Sequence, residues 1–227
     1  MLKRLQTKWK IPSLKLNKTI RYCKICFKEI DDYSLFNLIS NQNYLCKKCF
    51  STLKAEFINF DVGTIKVTAI YNYDETIKKI IYTYKGCGDY ELKDIFISRY
   101  NNYLRFLYHD YVIVYPPSTE LDNQKRGFNH VKEIFKSLNL PIYDVFKKVE
   151  NEKQSSKSKK DRLNINKIIM PVNIEILKGK KVLIVDDIYS TGGTLLRCIE
   201  LVKSVKPKTI KALVIAKTID LEKREKN

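Results

Sequence analysis

From residue 64 onward the apolar positions switch between the period of a strand and the period of a helix. Residues 64–73 carry the β-branched and aromatic content of a strand. Ile77, Ile80, Ile81 and Tyr84 then recur at i, i+3, i+4 and i+7, which predicts an amphipathic helix capped by Asp74 and ending at Gly86. A longer helical stretch follows over 90–108. Tyr111-Val-Ile-Val-Tyr115 is a short apolar run stopped by Pro116 and Pro117, the pattern of a buried strand that ends at a loop. Val131, Ile134, Phe135 and Leu138 restore helical spacing up to Pro141, and 142–146 reads as the next strand. Residues 182–185 form another buried strand, followed by a helix that starts near Thr194 and buries Leu195, Cys198, Ile199 and Val202. Strands alternating with helices predict an α/β fold built on a mainly parallel sheet. No internal repeat of roughly 20 to 50 residues is present.

Two regions depart from this alternation. Residues 50–60 read as a short helix closing a cysteine-bearing module, which sets a boundary near residue 60. The expected organisation is a basic N-terminal segment (1–19), a cysteine module with its short helix (20–60) and the α/β domain (61–227). Residues 151–162, with Lys153, Gln154, Ser155, Ser156, Lys157, Ser158, Lys159, Lys160 and Arg162, have no hydrophobic period and read as an exposed loop. That loop is an inert linker or an active-site lid.

Composition excludes some classes outright. An apolar share of 44% is ordinary for a folded chain, so intrinsic disorder is ruled out. No apolar run approaches the roughly 18 to 20 residues that span a bilayer, and residues 1–12 lack a continuous signal-peptide core, so a soluble, cytoplasmic protein is expected. The 43 Lys and Arg against 25 Asp and Glu give a net charge of +18. Total charge leaves two explanations open, a polyanionic partner or the Lys, Ile, Asn and Tyr bias of an AT-rich genome. Distribution favours the first: nine basic residues and no acidic one lie between Met1 and Lys28, with Trp9 among them.

Four of the six cysteines pair up in sequence. Cys23-Lys-Ile-Cys26 and Cys46-Lys-Lys-Cys49 are separated by 19 residues, inside the spacing of a four-thiolate zinc site. Each CxxC turn offers two sulfurs, and two turns close a tetrahedron with zinc–sulfur distances of about 2.3 Å. Disulfides compete only in an oxidising compartment. A closed site of this kind leaves no coordination position open, so its role is structural. Cys198 falls on the apolar face of its helix and reads as a core residue, and Cys87 sits in a Gly-Cys-Gly turn with no mark of a nucleophile.

The richest segment is Lys181-Val-Leu-Ile-Val-Asp-Asp-Ile-Tyr-Ser-Thr-Gly-Gly-Thr194. A strand, a short Gly-containing loop and a helix N-terminus make an anion site, because unpaired amides and the helix dipole meet the ligand. Gly192 and Gly193 let the backbone approach closely, and Ser190, Thr191 and Thr194 add hydroxyl donors. Asp186 and Asp187 at the strand's carboxyl end suit sugar hydroxyls and an outer-shell magnesium ion. The GxxxxGK[ST] and GxGxxG phosphate loops are both absent.

This stretch resembles the phosphoribosyl pyrophosphate signature of type I phosphoribosyltransferases. The two CxxC pairs, Tyr71-Asn-Tyr73, Lys85-Gly-Cys-Gly-Asp89, Pro116-Pro117, Arg126-Gly-Phe-Asn129, Gln154 to Arg162 and Asn164 narrow the resemblance to the ComF family, from about residue 20 to the end. The resemblance implies a sheet of the type I phosphoribosyltransferase kind preceded by a small four-cysteine zinc ribbon. It implies that Asp186 and Asp187 contact ribose hydroxyls and that Ser190, Thr191, Gly192, Gly193 and Thr194 hold the 5′-phosphate. Pro117 and Ser118 would lie near the pyrophosphate, and residues 151–162 would be the mobile hood loop. Ser190 stands where Thr is commoner and keeps the hydroxyl. Lys85-Gly-Cys replaces the more usual Lys-Phe-x-Gly-Asp start, which leaves the role of Lys85 open.

The leading functional reading is therefore a ComF-like competence factor for uptake or processing of single-stranded DNA in natural transformation, binding phosphoribosyl pyrophosphate with magnesium. The family implies a helicase-type DNA translocation ATPase as partner. A metabolic phosphoribosyltransferase acting on a nucleobase or amine is the alternative. The donor motif is intact for that chemistry, but no base-recognition signature accompanies it. A zinc-dependent docking protein with a vestigial ligand site is the third reading.

Overall fold

A computed structural model describes residues 21–30, 44–149 and 168–218. The basic segment 1–19 and the loop 151–162 lie outside the described residues. In chain order the helices are α1 (Lys47–Thr52), α2 (Glu75–Lys85), α3 (Lys93–Ile97), α4 (Asn101–Tyr108), α5 (Glu120–Arg126), α6 (His130–Phe135) and α7 (Gly193–Ser204). The strands are β1 (Ile58–Val62), β2 (Ile65–Asn72), β3 (Tyr111–Val114), β4 (Ile142–Tyr143), β5 (Phe146–Val149), β6 (Ile168–Pro171), β7 (Lys181–Tyr189) and β8 (Thr209–Lys217).

Six strands form one sheet in the order β1-β2-β8-β7-β3-β4, parallel throughout except for the antiparallel β1–β2 hairpin at one edge. A parallel sheet is buried on both faces, and two apolar clusters do this here. Alternate residues of β7 feed them in turn. Leu183 and Val185 pack with Ile77, Ile81, Val131 and Phe135 under α2 and α6, whereas Val182 and Ile184 pack with Leu195, Cys198 and Val202 under α7. Cys198 is fully buried, as its helical spacing predicts, and burial pushes its thiol up.

The expected α2 is present with its cap: the Asp74 carboxylate accepts from the Ile77 N–H at 2.8 Å. Thr119 and Asn129 cap α5 and α6 in the same way. Three expectations are corrected. The helix over 50–60 stops at Thr52, and β1 replaces its second half. Phe57 takes a left-handed backbone (φ +47°) that redirects the chain, and the Gly63 turn returns it along β2. The helical stretch 90–108 is broken into α3 and α4 by 3-10 turns at Tyr90–Leu92 and Ser98–Tyr100. The strand over 142–146 splits. Its first two residues pair with β3, while β5 leaves to pair antiparallel with β6. Asp144 sits at that break, bonded to the Tyr115 hydroxyl and to Lys132.

The cysteine module packs onto the α/β body. Leu53 joins the core under α2, with Ile25 and Leu45 against it. Lys24 bridges Glu91 and Asp94 at 3.0 and 3.1 Å, and the Arg99 guanidinium stacks 3.9 Å over the Phe50 ring. Strand β1 runs through residue 60, the position of the expected boundary. Among the described residues no helix is long and apolar enough to cross a membrane.

Candidate functional site

Strand alternation sends the two adjacent acids to opposite faces of the sheet. Asp187 continues the Leu183 and Val185 series toward α2 and α6, and Asp186 continues the Val182 and Ile184 series toward α7. Both are buried, so each needs partners.

Asp187 has them within the fold. Its Oδ2 accepts from Lys85 Nζ at 2.6 Å and from His130 Nε2 at 3.0 Å, and its Oδ1 accepts from the Ile188 N–H at 2.8 Å. Arg126 sets the tautomer of the histidine. Its Nη1 lies 3.0 Å from His130 Nδ1, and a guanidinium only donates, so Nδ1 is the acceptor and the ring proton sits on Nε2. Arg126 Nε also donates to the Lys85 carbonyl at 2.9 Å, and the Tyr84 hydroxyl donates to the His130 carbonyl at 2.8 Å. The Ser118 hydroxyl lies 3.5 Å from His130 Nδ1, on the loop it shares with Pro117 between β3 and α5.

The electrostatics follow from this geometry. Burial opposes the charge on Asp187, but the His130 hydrogen bond and the Lys85 ammonium outweigh it and hold the carboxyl below the usual carboxylate range. Burial, and then the negative charge of Asp187, push Asp186 well above that range. Burial lowers His130 against the pull of Asp187, in agreement with the neutral tautomer. One acid is thus ionised and satisfied by fixed partners. The other is desolvated and has an open side.

That open side is a polar cavity which Asp186 lines together with Ser190, Thr191, Gly192, Gly193 and Thr194. Gly192 is the N-cap of α7 at φ +77°, and a Cβ there would come within 2.7 Å of the Tyr189 hydroxyl. No side chain caps α7, so its first-turn amides and the positive end of its dipole meet the cavity. The hydroxyl-bearing residues Ser190, Thr191 and Thr194 are exposed. An anion flanked by hydroxyl groups is the ligand chemistry this arrangement accommodates.

Of the residues singled out from sequence at β7 and α7, Asp186, Ser190, Thr191, Gly192, Gly193 and Thr194 share this cavity, while Asp187 faces the cluster on the other side of the sheet, which Ser118 reaches through His130. Lys85, whose role sequence left open, is the counter-ion of Asp187. His130 was missed. Its nearest signal was the preceding Arg126-Gly-Phe-Asn129, which carries both the guanidinium that orients the ring and the Asn129 cap that starts its helix.

Cys23, Cys26, Cys46 and Cys49 also converge. The first pair lies in a turn closed by a Tyr22–Glu29 bridge, with the Phe27 N–H donating to the Cys23 carbonyl at 2.8 Å; the second pair opens α1. The Lys24 N–H donates to the Tyr44 carbonyl at 2.8 Å and ties the two turns together. All four Sγ atoms lie within 4.8 Å of one another, with Cys26 and Cys46 at 3.7 Å. A zinc tetrathiolate with bonds of about 2.3 Å has a sulfur–sulfur edge of about 3.8 Å, so the donor set fits such an ion.

Comparison with known proteins finds relatives of this chain. The phosphoribosyl transferase domain model matches residues 124–227. Competence protein ComFC of Streptococcus pneumoniae is 30% identical over 151 residues, which cover 66% of this chain and 67% of that protein. Competence protein ComFC of Bacillus subtilis is 30% identical over 129 residues, 56% of this chain and 53% of the other, so the chain spans about half of that relative. A solved purine phosphoribosyltransferase from Pyrococcus horikoshii is 25% identical, covers 56% of this chain and 74% of its own, and superposes with a TM-score of 0.33. The pneumococcal match, the phosphoribosyltransferase-type domain and the four-cysteine cluster ahead of it place this chain in the ComF family.

Proposed function

We propose that this chain is a competence factor that handles single-stranded DNA during natural transformation, and that its acidic-pair site binds phosphoribosyl pyrophosphate with magnesium. The observation that carries the reading is the meeting, in one cavity, of a desolvated carboxyl with an open side and an uncapped helix N-terminus. A sugar phosphate supplies what both lack. Its 5′-phosphate would take the amides and hydroxyls of Ser190, Thr191, Gly192, Gly193 and Thr194, and its ribose hydroxyls would donate to Asp186. Asp187, held rigid by Lys85 and His130, would fix the sugar's orientation, with Pro117 and Ser118 toward the pyrophosphate. Magnesium would arrive with the pyrophosphate and offset its charge.

The remaining parts fit the same role. Zinc on Cys23, Cys26, Cys46 and Cys49 would be structural, holding together a module too small for a core of its own. The basic run between Lys3 and Lys28 would contact the DNA strand, so gel-shift binding of single-stranded DNA should fall steeply with salt. The protein would work in the cytoplasm beside a helicase-type translocation ATPase. Complementation tests the reading: in a transformable host lacking its own copy, the wild-type chain should restore transformation and a folded Asp186→Asn variant should not. Full rescue by the variant would separate the ligand site from competence.

A further inference from the structure

The alternation of β7 slips at its carboxyl end. A strict two-residue period would send Tyr189, three positions after Asp186, to the face opposite that acid. Instead Asp187 and Ile188 both turn toward α2 and α6, and Tyr189 returns to the α7 face, where it lines the same cavity as Asp186. The half-buried ring is held there. It lies 4.7 Å from the Phe60 ring of β1, and Lys217, paired with Tyr189 across β7 and β8, sets its ammonium 4.3 Å from the centre of that same Phe60 ring. The Tyr189 carbonyl accepts from the Thr218 N–H at 3.0 Å. The phenol oxygen lies against the N-cap of α7, since a Cβ on Gly192 would come within 2.7 Å of it. Among the described residues that hydroxyl has no hydrogen-bond partner. A side chain whose backbone and ring are fixed and whose donor is unused loses little freedom when a ligand arrives.

We propose that Tyr189 is a recognition residue of the cradle, its hydroxyl donating to a phosphate oxygen held at the N-terminus of α7. The proposal rests on the sugar-phosphate reading above and adds to that site a donor from the strand. The phosphate is its acceptor because the hydroxyl sits at the N-cap, where the helix amides gather an anion. Glycine at 192 then serves twice: it takes the positive φ, and it leaves the hydroxyl its place at the cradle.

Calorimetry on the zinc-loaded full chain tests this with inorganic phosphate and ribose 5-phosphate as probes. Tyr189→Phe keeps the ring on Phe60 and removes only the donor. It should weaken both probes by the same factor, about tenfold, as for one hydrogen bond to a charged group, with an unchanged urea midpoint. In a chain isotope-labelled at tyrosine Cζ, the resonance that Tyr189→Phe deletes should move when ribose 5-phosphate is added to the wild type. Equal affinity of the two proteins overturns the assignment. So does a weakening confined to ribose 5-phosphate, which would put the hydroxyl on the sugar, or a weakening with a lowered urea midpoint and an unmoved resonance, which would make the tyrosine a packing residue. If the wild-type chain binds neither probe, it is the sugar-phosphate reading that fails, and the assignment falls with it.

Discussion

Replacing His130 with Phe keeps a ring of similar size but removes the hydrogen bond that ties α6 to Asp187 and the one that ties it to Arg126 of α5. The imidazole donates to Asp187 at 3.0 Å and accepts from Arg126 at 3.0 Å. The side chains of His130 and Asp187 are only 8% and 10% exposed, so water cannot take over the lost donor. A hydrogen bond to a buried charged group is worth about 1.5 to 3 kcal/mol. Lys85 stays as a partner, which keeps the cost in that range rather than at the several kcal/mol of a stranded charge. Urea titration should therefore show a loss of about 1.5 to 3 kcal/mol, and a fall in Tm of about 3 to 12 °C for a chain of this size. Ribose 5-phosphate should bind more weakly as well, because Asp187 loses its fixed orientation. A loss below about 0.5 kcal/mol with unchanged binding would show that the cluster does not position the acid, and the reasoning would fail.

The same histidine gives a pH dependence. Its proton affinity is lowered in the fold, so its contribution to stability is present above the unfolded value of about 6.5 and is lost as pH falls below it, by at most about 1.4 kcal/mol per unit. Asp186, raised in the fold, acts in the opposite sense above the usual carboxylate range. The readout is therefore the difference between wild type and His130→Phe in urea midpoints at pH 7.5, 6.5 and 5.5, which should shrink as pH falls. Gly192→Ala should cost about 1 to 3 kcal/mol, since φ is +77° and the new Cβ meets the Tyr189 ring, whereas Gly193→Ala, with nothing nearer than 3.9 Å, should cost little by the same titration. Elemental analysis should find one zinc ion per chain. Chelation should raise hydrogen exchange in 21–30 and 44–53 before the parallel sheet, and Cys49→Ser should do the same; unchanged exchange would mean the four thiols hold no structural metal.

Local signals made much of this legible. The Ile77, Ile80, Ile81, Tyr84 spacing with Asp74 ahead of it fixes α2 to its cap, and the apolar run before Asp186 fixes β7. The paired CxxC turns announce the four-cysteine cluster. What escaped depended on pairing. Thr209–Lys217 is not singled out as a strand in the sequence reading, although its run Ala212-Leu-Val-Ile-Ala216 has the same apolar character as that of β7, and β8 lies at the centre of the sheet between β2 and β7. Residues 50–60 have helical composition, but the helix stops at Thr52, and the left-handed Phe57 and the hairpin partner Ile65–Asn72 turn the end of the span into β1. The His130–Asp187 contact spans 57 residues and the Lys85–Asp187 contact 102, so no local pattern announces either.

The central claim is that Asp186 and the α7 N-terminus form one ligand site. Its most direct test is calorimetric titration of phosphoribosyl pyrophosphate into the zinc-loaded chain, with and without magnesium, for wild type and Asp186→Asn. The account predicts magnesium-dependent, one-to-one binding that Asp186→Asn weakens by about tenfold, the cost of losing one hydrogen bond to a buried carboxyl. Equal affinity of the two proteins, or no binding to either, would contradict it.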